Sequence, residues 1–240
     1  MSVFFVNICT LSFEEFLSYK KTAFEERSVR FMSIKQTILG RLHHIKRKGM
    51  PELIHFLTHE SDYFTAPASV KGHGNYPHGL SIHCHHVVEL LLKKNEQFQL
   101  GLPVESIYLA GYLHDLCKVN TFHPTLKLRT NAKGERECYF TYDFVDPLPL
   151  GHGEKSVMLA QHYIHLTTEE MMLIRWHSGP PAVYDHSHRY EQAVQFYPFI
   201  KAIFTADEEA AIFLEKTKEA PTFQLSVFYN WKKNGILPKI

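Results

Sequence analysis

The sequence predicts an all-α protein carrying one inserted β-hairpin, and three observations support that expectation. Apolar residues recur at helical spacing through most of the 240 residues, capping and breaking residues stand where those segments would start and stop, and one short region alternates with period two. Hydrophobic residues make up 45% of the chain, enough for a sizeable core.

The segments 13–28 and 32–48 read as charged amphipathic helices, and "MPELIHFLTHE" (50–60) as a third with Pro51 in its first turn. "FTAPASVKGHGNYPHG" (64–79) concentrates glycine, proline and small residues, which marks a long loop of the kind that often carries function. Helices resume over 80–94 and 103–119. Next, "TLKLRT" and "ECYFTYDF" alternate and flank "NAKGER", a hairpin signature placed as an insertion at about 124–146. Helices return over 153–166, over 168–178 with Thr167 and Glu170 as a capping box, and over 189–216. The expected organisation is an N-terminal helical extension (1–49), a helical domain (50–220) and a C-terminal tail (221–240).

Composition excludes several classes. With 26 basic and 25 acidic residues the net charge is +1, so any attraction to polyanions must be local. The strongest basic cluster, "RLHHIKRKG" (41–49), lacks interleaved aromatics for base stacking and reads as a solvated helix face. Four cysteines without a CxxC pair argue against a thiolate zinc site or a disulfide scaffold and fit a reducing compartment. "MSVFFVNICT" lacks a basic n-region and a small-residue cleavage site, and no run reaches the roughly 20 apolar residues of a membrane span. The expectation is a cytoplasmic protein with no membrane partner. The outlying number is 17 histidines.

Several of these histidines, and one aspartate, fall on apolar stripes. Asp207 has Ile200, Ile203, Phe204, Ala210, Ala211 and Leu214 at helical spacing, so it points inward, where a carboxylate needs an interior cation or a metal. His83 shares a stripe with Val87 and Leu90, with His85 and His86 as neighbouring rivals. His114 follows Ala110 and Gly111, small residues that permit close approach. Asp115 sits about 100° round the helix from it, and Lys118 one turn on, either as a surface lysine or as a cation for an anionic substrate. His152 opens a helix between two glycines, where free N–H groups favour anions, and His177 closes another, where a cation is favoured.

Taken in order, "GLSIHCHHV", "GYLHDLCKV", "GHGEKS", "IRWHSG" and "FTADEEA" give the pattern H…HD…H…H…D. Over roughly 64–214 the chain resembles the HD-domain superfamily of metal-dependent phosphohydrolases in its two-metal form. That resemblance implies an HD-domain helical bundle with the hairpin inserted and extra helices at the N-terminus. It implies one or two divalent ions (Mn, Fe, Mg, Ni or Co), a choice that mixed imidazole and carboxylate ligands also suit. One ion would take His83, His114, Asp115 and Asp207, a second His152 and His177, with Asp115 bridging. Asp115 and Lys118 would serve the cleavage of a phosphoester by an activated water. The substrate would be a phosphorylated small molecule, such as a nucleotide, or a nucleic-acid end. The loop before His83 resembles that of HD-type 3′ to 5′ exonucleases and would offer Lys71, His73, Asn75 and Tyr76 to the substrate. Two departures are His78, where the family pattern expects glycine, and "HSGPPAVYDHSHR" after His177. Two other readings share the ligand set: an HD-fold di-iron oxygenase and a non-catalytic nucleotide-sensing module. The sequence leaves the oligomeric state open.

Overall fold

The computed structural model describes residues 31–180, 187–215 and 222–224 and is mostly helical. Its helices are α1 (31–44), α2 (Met50–His55, continued as a π-helical turn over Phe56–Glu60), α3 (Gly79–Gln97), α4 (Val104–Leu113), α5 (His152–Tyr163), α6 (Thr168–Arg175), α7 (Ser187–Phe196) and α8 (Ile200–Glu209, continued as a π-helical turn over Ala210–Leu214). The strands are β1 (Phe122–Thr130), β2 (Arg136–Phe144) and β3 (Thr222–Gln224), in sheet order β1-β2-β3. The helix expected over 13–28 lies outside the described residues. Among the described residues, no helix is long and apolar enough to cross a membrane.

The described residues divide into two compact units, a larger one over Ile34–His123, 144–180 and 187–215, and a smaller one that includes Pro124–Asp143 and 222–224. In the smaller unit the hairpin turn is organised by Asn131, whose Oδ1 accepts from the N–H groups of Lys133 and Glu135. β2 also pairs antiparallel with β3, with Glu137 opposite Gln224 and Tyr139 opposite Thr222. The segment read as the start of a C-terminal tail supplies a short third strand. Three residues are too few for period-two alternation to stand out.

In the larger unit, α3 packs against α4 and α8, and α6 packs against α4 and α5. Ile38, Leu42, Leu53, Leu57, Leu80, Leu91, Ile107, Leu109 and Leu113 are fully buried. The boundary expected at 49/50 falls inside this unit, because α1 faces inward. Arg41 donates to Glu89 and to the Tyr112 hydroxyl, and Arg47 makes a two-pronged pair with Glu170. Two cations of the basic cluster are thus structural, a correction to its reading as a solvated face.

Two helices expected as single runs are interrupted. The segment 189–216 breaks around Pro198, which lacks an N–H and whose ring disfavours a helical predecessor. The run 103–119 stops at Leu113, and after a turn a 3₁₀ segment covers Leu116–Lys118. The close approach anticipated at Gly111 is present, since a Cβ there would run into Val88 of α3. Gly111→Val should therefore lower the melting temperature by about 2–12 °C, the overpacking costing about 1–3 kcal/mol. A thermal melt equal to wild type would refute tight α3–α4 contact.

Candidate metal centre

Each donor reaches the centre from a different element. His83 comes from the second turn of α3, His114 and Asp115 from the turn ending α4, His177 from the turn after α6, and Asp207 from α8. His114, at φ −57° and ψ −37°, still follows the rotation of α4 as its C-cap, whereas Asp115, at φ −102° and ψ 20°, is placed by the turn that follows. The capping box seen at Thr167 and Glu170 fixes the start of α6 and hence the position of its far end.

The donor atoms converge. His83 Nε2 lies 2.9 Å from Asp207 Oδ1, 3.3 Å from His114 Nε2 and 3.6 Å from Asp115 Oδ2. Asp115 Oδ2 is 3.4 Å from His114 Nε2, and its Oδ1 is 3.6 Å from His177 Nε2. Ligands about 2.1 Å from one ion and at right angles stand about 3 Å apart, so this spacing fits a shared cation. His83, His114 and Asp207 form one group able to hold a metal ion, and His114, Asp115 and His177 form another.

The outer hydrogen bonds settle which ring nitrogens face inward. His114 Nδ1 donates to Gly111 O at 2.8 Å and His177 Nδ1 to Ile174 O at 2.7 Å; a carbonyl only accepts, so each ring commits its Nδ1–H outward and turns Nε2 to the centre. His83 Nδ1 lies 3.0 Å from Glu215 Oε2. Among the described residues, three carboxylates, Asp115, Asp207 and Glu215, thus surround these rings with one ammonium, Lys118, at 2.6 Å from Asp115 Oδ2. The balance favours a divalent cation.

The protonation preferences show the same field. Burial opposes charge on His83, yet Asp207 and Glu215 raise it to about 10. Burial and the neighbouring His114 lower His177 to about 4. Burial would raise Asp115, but Lys118, His114 and His177 hold it well below the carboxylate range, and His83 does the same for Asp207.

Lys118 is placed by the 3₁₀ segment, whose three-residue turn sets it over Asp115 at i+3. His152 enters none of the donor groups among the described residues; it is exposed at the start of α5, with Nδ1 3.3 Å from Cys117 Sγ. Gly153 beside it is needed for a different reason, since a Cβ there would strike the Arg175 backbone.

The loop residues divide. His73 stands among the donors, its ring 4.6 Å from that of His83 and its Nε2 buried without a hydrogen-bond partner among the described residues, and with His83 and Glu215 it forms a third group able to hold an ion. Lys71 is exposed, while Asn75 and Tyr76 are half-buried. The loop is tied back by Ala68 N–H to Gly74 O, Ser69 Oγ to His73 O and His78 N–H to Thr65 O. His78, where the pattern expects glycine, adopts φ 71°, the left-handed region that glycine occupies without penalty, and its Nδ1 is 2.6 Å from Phe64 O. The segment 181–186 after His177 lies outside the described residues.

Glu215 was not among the residues expected from sequence. It follows the last apolar residue of the α8 stripe, with Glu208 and Glu209 nearby on the wetter side, and no spacing rule distinguishes it. No family model matches the chain, and no curated protein or solved structure does either.

Proposed function

We propose that the protein is a metal-dependent phosphohydrolase of the HD type that cleaves a phosphoester of a nucleotide or of a nucleic-acid end. The observation that carries the reading is the convergence of three inward Nε2 atoms with the carboxylates of Asp115 and Asp207, in the chain order H…HD…H…D; a divalent ion would displace the Nε2 proton that His83 shares with Asp207. A divalent ion held by these groups would supply an acidified water and Lewis-acid polarisation of the phosphoryl oxygen.

The chain's own groups do the rest. His83, His114, Asp115 and Asp207 make the more complete set of ligands. Asp115 turns its second oxygen to His177, the arrangement a bridging carboxylate would adopt for a second ion. His73 and Lys71, from the loop leading into α3, are the groups offered to a phosphate. Lys118 neutralises Asp115 in the resting protein and is one side chain away from the phosphoryl oxygens of a substrate seated on the centre. Lys118→Gln should therefore lower kcat about 100-fold while leaving bound metal near the wild-type amount, read by steady-state kinetics and elemental analysis. Unchanged kcat would remove Lys118 from the mechanism.

The test of the function is elemental analysis of the purified protein, followed by phosphomonoester, phosphodiester and nucleotide substrates with Mn²⁺, Mg²⁺, Ni²⁺ or Co²⁺. Release of phosphate or of a nucleoside product that depends on the added ion is expected. Consumption of O₂ by the iron-loaded protein, or nucleotide binding without turnover under every ion, would overturn the reading in favour of an oxygenase or a sensing module respectively.

A further inference from the structure

Resting on the metal-centre reading above, we propose that Glu215 is a positioning residue that fixes the tautomer and orientation of His83 and so sets the affinity of the centre for its ion. The Glu215 side chain is fully buried, although it immediately follows the helix end. Its Oε2 and Oε1 lie 3.0 and 3.1 Å from His83 Nδ1, and Oε1 also lies 2.9 Å from His86 Nδ1. An ionised carboxylate only accepts, so each ring directs an Nδ1–H to it.

The backbone explains how one helix reaches both nitrogens of a single ring. Asp207 and Glu215 are eight residues apart, and in an uninterrupted α-helix, at about 100° per residue, they would point about 80° apart. The π-helical turn over Ala210–Leu214 advances less per residue and reduces that offset, returning both carboxylates to the side facing α3. His83 is then held with Asp207 at Nε2 and Glu215 at Nδ1. Once an ion displaces the proton between Nε2 and Asp207, the ring would present Nε2 to the centre as His114 and His177 do, but the acceptor behind it is a carboxylate, which would make the ring a stronger donor to a metal.

His86 has a separate place in this arrangement. Its ring supplies Glu215 with a second donor, so that the buried carboxylate is not held by His83 alone. The other groups facing the pair are His73, whose ring lies against His83, and Asp115 across the centre.

The test uses the full chain and Mn²⁺ as probe. Glu215→Gln preserves size and an accepting oxygen but removes the charge. It should weaken Mn²⁺ binding by about 10- to 100-fold in titration calorimetry, with the metal-free melting temperature within a few degrees of wild type. Glu215→Asp should recover part of the loss. In ¹⁵N-histidine-labelled protein loaded with Zn²⁺, the His83 Nδ1–H resonance should move upfield in Glu215→Gln, a change that a purely structural role would not produce. Mn²⁺ affinity within threefold of wild type in the folded variant would overturn the role of Glu215 and leave the centre standing. Failure of the wild-type protein to bind Mn²⁺, Zn²⁺, Ni²⁺, Co²⁺ or Fe²⁺ would overturn the centre itself.

Discussion

On the proposed function, Asp115→Ala should abolish metal binding and lower phosphoester turnover by at least about a thousandfold, the largest effect expected of any single substitution in the chain. The reason is its position. One Asp115 oxygen faces His83 and His114, the other faces His177, and Lys118 is paired to the first. Removing the carboxylate also leaves a buried ammonium without its counter-ion, so some loss of stability accompanies the loss of function. Asp115→Asn separates the two consequences. It keeps the volume and can still accept a hydrogen bond from Lys118, yet it contributes no negative charge to a divalent ion. Elemental analysis and kinetics on both variants, with a thermal melt to confirm folding, make the comparison. Wild-type turnover in folded Asp115→Asn would refute the assignment of the centre.

The candidate ligands were legible in the sequence because burial is expensive for polar groups. His83 and Asp207 stood on apolar stripes, and Gly111 marked where α3 and α4 approach; the structure brings all three to those positions. His114, Asp115 and His177 were also legible as residues, but not as geometry. Helical spacing placed them on continuous helices, whereas each sits in a turn just past a helix end. A turn of that kind carries no periodic signal, only the tertiary packing that stops the helix. The limit is clearest at Glu215. Nothing local marks it, because the π-helical turn that aims it inward is itself not written in residue spacing. His152 shows the converse. Its bracketing glycines are real features of the fold, but one of them serves helix packing, and the ring is left exposed.

Arg47→Ala should destabilise the protein by about 2–4 kcal/mol at pH 7, and the deficit should shrink as the pH falls. Glu170 was read from sequence only as half of a capping box. In the structure its side chain is fully buried and accepts from Thr167 N–H at 2.9 Å, from Ser106 Oγ at 2.8 Å, and from Arg47 at 2.6 and 2.9 Å. Breaking a buried pair by removing one partner costs about 3–5 kcal/mol, and the figure is reduced here because Arg47 keeps some contact with solvent. Burial alone would raise the Glu170 pKa, but the bonds from Arg47, Thr167 and Ser106 hold it below the ordinary value. A carboxylate depressed in the folded state contributes stability that is fully present above its unfolded pKa, about 4.3, and is lost as the pH falls through the folded value. The wild type therefore loses this contribution in acid. The variant behaves oppositely, since an unpaired buried carboxylate prefers its proton, and protonation relieves the penalty while the wild type is still paired. Urea unfolding of both proteins at pH 7 and pH 4 should show the gap narrowing. Adding Glu170→Gln to Arg47→Ala should recover part of the lost stability at pH 7 by removing the stranded charge. An equal gap at both pH values, with no recovery in the double variant, would mean that Arg47 acts through packing of its alkyl stem instead of through its charge.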